Sequence, residues 1–218
     1  MAALTLFGER NLDSPFVFTV FVALKEKGVP FTLRFLDLSR GDQRAAPFVE
    51  RSLTARVPTL SSGDFSLSES LAIVEYLDET LVPPAHPRLL PDPVEERGRA
   101  RQVLGWLRSD LAALRRERPT SSIFFAHERA TAPLGDAARA DADKLVRIAA
   151  TLLAGRASPF TRFSIAEADL AIALMRLIAN GDEVPPAVRD YAGAVWRRPS
   201  VAAWVALPRP ATGEAISA

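Results

Sequence analysis

The apolar residues of this chain follow two patterns, and the change between them falls near a proline-rich stretch. Four short apolar runs in the first part are typical of strands, and the second of them alternates with polar residues. Between the first two runs, apolar residues recur at the spacing of one helix face. A strand, a helix and a second strand of this length predict a parallel pair joined by a right-handed crossover. The runs are residues 4–7, 31–35, 57–60 and 65–67, and the helix face is Val17, Val20, Phe21 and Leu24.

The first helix has sequence signals at both ends. The Ser14 side chain can accept a hydrogen bond from a backbone N–H that has no partner within the helix. Pro15 lacks an N–H at a position where none is needed. Gly28 can adopt the left-handed conformation that ends many helices. Together these residues predict a helix that begins after Ser14 and ends before Gly28.

The rest of the first part predicts a hairpin and a second long helix. The polar residues 41–51 favour a short irregular helix, and the last two apolar runs flank a turn at residues 61–64. Another helix begins at residues 68–70. Its apolar side consists of Ile73, Val74, Leu77 and Leu81.

The second part of the chain is predicted to be helical. Five of the 17 prolines lie between residues 83 and 93, which excludes a helix interior or a central strand there. Beyond them we expect one long helix over residues 94–117 and another that begins at Ser164, where Glu167 completes a capping box. The predicted organisation is an α/β domain over residues 1–82, a linker over residues 83–93 and an all-α domain over residues 94–218. Further helices are expected around Leu145–Leu153, over residues 187–196 and over residues 200–207.

The amino-acid composition excludes several kinds of functional site. Of the 218 residues, 48% are apolar and 24% charged, as in globular proteins. The absence of cysteine excludes disulfides and a cysteine nucleophile, and the only two histidines make a metal site or a Ser-His-Asp triad a poor expectation. A net charge of +1 gives no indication of nucleic-acid binding. Because the longest apolar run has nine residues and no signal peptide is visible, we expect a soluble cytoplasmic protein that does not span a membrane.

Four motifs in order resemble the cytosolic glutathione transferase family. This family joins a thioredoxin-like α/β domain to an all-α domain, and the resemblance covers nearly the whole chain. It is strongest for a bacterial, serine-type subgroup with Ser-Pro after the first loop. Glu167 stands where the family usually has aspartate, a change that still suits a capping box. The motifs are Ser14-Pro15, Arg56-Val57-Pro58-Thr59-Leu60, the L-x-E-S-x-A-I-x-x-Y-L pattern of residues 67–77, and Ser164-Ile165-Ala166-Glu167-Ala168-Asp169.

The resemblance implies a glutathione site built from two segments. Glu69 and Ser70 begin a helix whose N–H groups attract anions, and they would hold the ammonium and carboxylate of the γ-glutamyl part. A cis bond before Pro58 would present the Val57 backbone to glutathione as an added strand. Arg56 would face the glycyl carboxylate. The alternatives are a serine that only caps the helix, an ordinary trans proline and a solvated arginine.

Ser14 is the candidate catalytic residue. A free thiol has a pKa of about 8.5, so a mostly ionised thiol at neutral pH requires a fall of about two units. A hydroxyl hydrogen bond and the N-terminus of a helix can together supply that. Two alternatives stay open: Ser14 only caps the helix, or Asn11 or Arg10 of the same loop polarises the thiol.

The function implied by the resemblance is that of a glutathione transferase. Glutathione would be a substrate, no metal would be needed, and the thiolate would attack an electrophile or reduce a peroxide or disulfide. A non-catalytic binding module on the same fold is the alternative. The resemblance also implies a homodimer. Trp106, Phe124, Phe125 and Trp204 are candidates for the acceptor site, although each of these side chains could instead belong to the core.

Overall fold

The computed structural model describes residues 3–210 and divides them into two compact units. The first unit contains the described residues up to Pro87 together with those from Ala203 onward, and the second is Arg88–Ala202. The division falls inside the proline-rich segment 83–93. No helix within residues 3–210 is long and apolar enough to cross a membrane.

The first unit is a four-stranded mixed sheet with helices, which confirms the predicted thioredoxin-like α/β fold. The strand order is β2 (Phe31–Leu36), β1 (Leu4–Glu9), β3 (Thr59–Ser62) and β4 (Phe65–Ser68), where β1 and β2 are parallel and the other pairs are antiparallel. The predicted run at residues 57–60 becomes a strand only after Pro58, because proline has no N–H for the ladder. In chain order, the elements are β1 (Leu4–Glu9), α1 (Pro15–Lys27), β2 (Phe31–Leu36), a 3-10 turn (Asp42–Arg44), α2 (Ala46–Val49), β3 (Thr59–Ser62), β4 (Phe65–Ser68) and α3 (Ser70–Thr80).

Close packing of α1 on β1 requires a glycine at position 8. Gly8 of β1 lies so near α1 that a Cβ there would be 2.7 Å from a methyl carbon of Val17. At the other end of α1, the buried Lys27 ammonium pairs with Asp78 at 3.0 Å and donates to the carbonyl oxygens of Leu81 and Pro87. The aromatic rings of Phe18 and Phe21 pack against Trp204. α1 is therefore anchored both by aromatic packing and by the bonds of Lys27 at its C-terminal end.

The second unit is all-helical, as predicted. Ser164 and Glu167 form the expected capping box at the start of α8 (Ile165–Ala179). The last described helix, α10 (Pro199–Val205), begins in this unit and ends in the first. The elements are α4 (Val94–Ser109), α5 (Ala112–Glu117), α6 (Ser121–Phe124), a 3-10 turn (Ala126–Glu128), α7 (Asp136–Leu153), α8 (Ile165–Ala179), α9 (Pro186–Trp196) and α10 (Pro199–Val205).

The prediction of one continuous helix over residues 94–117 is wrong. The helix breaks at Asp110 and Leu111, where Leu111 has a left-handed φ of 61°. The Asp110 carboxylate accepts hydrogen bonds from the Leu111 N–H at 2.8 Å, from the Trp106 ring N–H at 2.8 Å and from Lys144 at 2.6 Å. The hydrogen bond from Lys144 is the largest cause that lowers the pKa of Asp110 to about 2. Side-chain bonding by Asp110 therefore accompanies the change of backbone direction.

Candidate functional site

A cavity of about 560 Å³ lies in the first unit, at the N-terminus of α1. Its walls come from the end of β1, the loop before α1, the region around the 3-10 turn and the loop before β3. Most of the lining side chains are polar or charged. They are Glu9, Asp13, Ser14, Leu38, Gln43, Arg44, Thr54, Ala55, Arg56 and Val57. The cavity therefore brings together three predicted site residues, Ser14, Arg56 and Val57.

Ser14 caps α1 and keeps a hydrogen to donate. Its hydroxyl oxygen accepts the Val17 N–H at 3.3 Å, and its carbonyl accepts the Phe18 N–H at 3.0 Å. Within residues 3–210 the hydroxyl donates to no acceptor. A serine hydroxyl has one donor and two acceptor positions. Ser14 can thus cap the helix and donate a hydrogen bond to a ligand at the same time.

Glu9 is a buried carboxyl group directly beside Ser14. Only 6% of Glu9 is exposed, and its Oε1 accepts the Ser14 backbone N–H at 2.8 Å. Its Oε2 is buried and has no hydrogen-bond partner in the part of the chain that the structure describes. Burial raises the pKa of Glu9 to about 7, while the Ser14 N–H opposes the rise and the charge of Asp13 adds to it. Glu9 is therefore partly protonated at neutral pH.

The loop before β3 has the expected cis bond between Val57 and Pro58. The Ser52 hydroxyl holds this loop in place, since it bonds to the Arg56 N–H at 3.2 Å and to the Thr59 hydroxyl at 2.9 Å. The ladder between β1 and β3 begins at Thr59, so the Val57 backbone lies outside it. A ligand in the cavity can therefore reach peptide groups that the sheet does not use.

Two arginines add positive charge to the cavity wall. Arg44 and Arg56 are exposed, and their guanidinium groups form no ion pair among residues 3–210. Arg10, which was an alternative polarising residue, instead forms an ion pair with Asp37 at 2.9 Å. Asn11, the other alternative, is exposed and does not line the cavity. The unpaired cations make this wall suitable for an anionic ligand.

The start of α3 lies next to the cavity wall without lining it. Thr54, which lines the cavity, donates a hydrogen bond from its hydroxyl to that of Ser68 at 3.1 Å. Glu69 follows with a left-handed φ of 73°, and its side chain is exposed and makes no cap hydrogen bond. Ser70 is buried at the first position of α3. A positive φ at a non-glycine residue is strained and often occurs at functional sites.

The predicted acceptor-site residues of the second unit do not form one group. Trp106 borders a cavity of about 760 Å³ that neither Phe124 nor Phe125 lines. Phe124 stacks on Trp196 at 6.2 Å between ring centroids. The Phe125 ring lies 5.8 Å from that of His127. Trp204 is fully buried, so it belongs to the core.

Several lining residues were not predicted from the sequence: Glu9, Asp13, Gln43, Arg44 and Thr54. Of these, Glu9 and Asp13 had a local signal, since both are acidic residues that shortly precede Ser14 in the sequence. The others reach the cavity through tertiary packing. No group of three or more histidine, aspartate or glutamate side chains in residues 3–210 is placed to hold a metal ion.

Comparisons with known proteins agree with this fold. The family model for the glutathione S-transferase C-terminal domain matches residues 93–209, and the model for the N-terminal domain matches residues 13–80. Human glutathione S-transferase theta-2 is 36% identical over 87 residues, which are 40% of this chain and 35% of that protein. The probable maleylacetoacetate isomerase of Vibrio cholerae is 39% identical over 115 residues, or 52% of this chain and 49% of that protein. The matched regions thus span less than half of these curated relatives.

One solved structure is similar over almost its full length. A glutathione transferase homologue from Burkholderia, with bound glutathione, superposes with a TM-score of 0.77 and 41% identity. The match covers 93% of this chain and 96% of that one. Both units of the present structure are therefore found in a protein that holds glutathione.

Proposed function

This chain belongs to the glutathione S-transferase family, and from that premise we propose that it binds glutathione in the cavity beside Ser14, holds its thiol as a thiolate and transfers the sulfur to an electrophile. The observation that carries the proposal is the state of the Ser14 hydroxyl. It lines the cavity, accepts from Val17 and retains its own hydrogen for a ligand. It also stands at the N-terminus of a 13-residue helix.

The energy that this arrangement must supply is modest. Lowering a thiol pKa by about two units requires about 2.7 kcal/mol. A hydrogen bond to a charged acceptor contributes about 1.5–3 kcal/mol. A partly buried helix N-terminus adds up to about 2 kcal/mol. Ser14 and α1 can therefore stabilise the thiolate together.

The remaining groups fit the rest of the tripeptide. The Val57 backbone would pair with the cysteinyl part as an added strand, in the orientation that Pro58 imposes. Arg56 would face the glycyl carboxylate, with Arg44 as a second cation of the same wall. Glu69 and Ser70 would hold the ammonium and carboxylate of the γ-glutamyl part. Each group of the ligand would thus have a partner in the first unit.

The finer reaction is also a proposal. In conjugation the thiolate forms a carbon–sulfur bond and expels a leaving group or adds to a double bond. In peroxide reduction it attacks an oxygen, and a second glutathione must then form the disulfide, because the chain has no cysteine of its own. Trp106, Phe124 and Phe125 stay predictions for the acceptor site. A homodimer is proposed from the family resemblance, and light scattering of the purified protein checks it. A cytoplasmic location stays a prediction.

The experiment that tests the proposal is a glutathione titration at neutral pH, followed by the ultraviolet absorbance of the thiolate. We expect a saturable signal in the wild type and at least a tenfold smaller one in Ser14→Ala, since about 1.4 kcal/mol corresponds to tenfold. Ser14→Thr is the matched control, because threonine keeps both the hydroxyl and the cap. A full signal in Ser14→Ala would move the role away from Ser14, and no binding by the wild type would refute the proposed function.

A further inference from the structure

Among residues 3–210, Glu9 is the buried acidic residue that lines the cavity beside Ser14. Its Oε1 accepts the Ser14 backbone N–H at 2.8 Å, so the carboxyl group contacts the backbone of the same residue whose hydroxyl would bind sulfur. Its Oε2 is buried with no hydrogen-bond partner in residues 3–210. An ionised carboxylate with a buried unpaired oxygen is costly, whereas a protonated one carries no charge. The group is thus placed to gain a proton rather than to keep a charge.

The other charged groups around Glu9 do not remove this preference. Asp13 lies in the same loop and raises the pKa of Glu9 through its negative charge. Arg209 bonds to the Leu12 carbonyl and is attracted to both Glu9 and Asp13. Burial lowers the pKa of Arg209 to about 10, so it stays charged at neutral pH. With all of these and the cavity cations Arg44 and Arg56, Glu9 still titrates near neutrality rather than near 4.5.

We propose that Glu9 is a positioning residue that also keeps the proton balance of the site, taking up a proton when the glutathione thiolate binds beside Ser14. This inference rests on the proposed function. The sulfur loses its proton and becomes negatively charged, and a negative charge in the cavity that Glu9 lines favours the neutral form of its carboxyl group. The exchange balances as thiol plus carboxylate giving thiolate plus carboxylic acid. Activation of the thiol then releases less than one proton to solvent.

The test compares two quantities in the wild-type protein at pH 7. Thiolate formed on binding is read from its ultraviolet absorbance. Protons released are read from calorimetric titrations in buffers with different ionisation enthalpies. Because about half of Glu9 is ionised when its pKa is about 7, up to about half a proton per site is taken up. The same titration with S-methylglutathione, which has no thiol, subtracts the protons that the amine and carboxylates exchange.

The Glu9→Gln variant provides a second comparison of protons released with thiolates formed. Its amide oxygen can still accept the Ser14 N–H, but it cannot take up a proton. We expect this variant to release about as many protons as thiolates formed. Asp64→Asn, in the exposed turn between β3 and β4, is the matched control. Like the wild type, it should release fewer protons than the number of thiolates formed.

The outcomes separate this inference from the proposed function. A wild-type thiolate signal with fewer protons released than thiolates formed supports the role of Glu9. A thiolate signal with equal numbers overturns that role and leaves the proposed function intact. Without any thiolate signal in the wild type, both fail. A shortfall of protons that persists in folded Glu9→Gln would also overturn that role. If Glu9→Gln folds poorly, equal numbers of protons and thiolates in the wild type still overturn it.

Discussion

Burial of a single carboxyl group makes folding stability depend on pH near neutrality. The pKa of Glu9 is raised from 4.5 to about 7 in the folded protein, so between these values the folded state binds more protons than the unfolded state. Stability must therefore fall as the pH rises from 4.5 through 7. At about 1.4 kcal/mol per pKa unit, the full loss is about 3 kcal/mol.

Glu9→Gln should remove this dependence. We expect the unfolding free energy of the variant, relative to wild type, to increase by up to about 3 kcal/mol between pH 5 and pH 8. Urea unfolding at several pH values measures the difference. Asp64→Asn, which changes an exposed carboxylate, should show the same pH dependence of the unfolding free energy as the wild type. A constant difference between Glu9→Gln and wild type would show that Glu9 titrates normally.

At the scale of elements, a helix end offers a way to stabilise the second unit. α7 ends at Ala154, which is exposed and has a left-handed φ of 45°. This conformation costs an alanine about 1 kcal/mol but is freely accessible to glycine. We expect Ala154→Gly to raise the unfolding free energy by about 0.5–1 kcal/mol, as measured by thermal or urea unfolding.

The matched control for that change lies one turn earlier on the same helix. Ala150 is also exposed, but it lies inside α7, where glycine costs about 1 kcal/mol relative to alanine. The alanine-to-glycine substitution should therefore raise the unfolding free energy at Ala154 and lower it at Ala150. Destabilisation at both would contradict the view that the backbone of Ala154 is strained.

Elements with local signals were predictable from the sequence. Ser14, Gly28 and the capping box of Ser164 depend on residues a few positions apart, and all are present as expected. The break at Leu111 was not predictable, since the apolar spacing continues across it and the bonds of Asp110 come partly from α7. Helix periodicity alone reports which face is apolar and does not show where tertiary hydrogen bonds redirect the chain.

The candidate site was predictable to the extent that it follows contiguous motifs. Ser14, Arg56 and Val57 were expected, and they line one cavity. Gln43 and Arg44 reach the same cavity from a polar stretch without a motif. The importance of Glu9 depends on its burial, which the sequence alone does not report. Local patterns thus identified the groups that form the site, and packing decided their electrostatic state.

At the scale of the whole molecule, residues 203–210 belong to the first unit, although they follow the second in sequence. Trp204 is fully buried there against Phe18 and Phe21 of α1. Arg209 donates two hydrogen bonds, of 3.2 and 3.1 Å, to the Leu12 carbonyl in the loop before Ser14. The end of the described chain therefore supports the helix on which the proposed catalytic serine stands.

Trp204→Ala should loosen α1 and the site at its N-terminus. Removing a buried tryptophan costs about 3–5 kcal/mol, and the cavity it leaves lies directly on α1. We expect hydrogen exchange of the α1 amides to accelerate at least a hundredfold, since about 3 kcal/mol corresponds to such a factor, and glutathione affinity to fall with it. Trp196→Ala is the matched control, because its ring stacks on Phe124 in the second unit. If Trp196→Ala loosened α1 as much as Trp204→Ala, general destabilisation would explain the effect; if only Trp204→Ala did so, the last helix would be a structural part of the glutathione-binding unit.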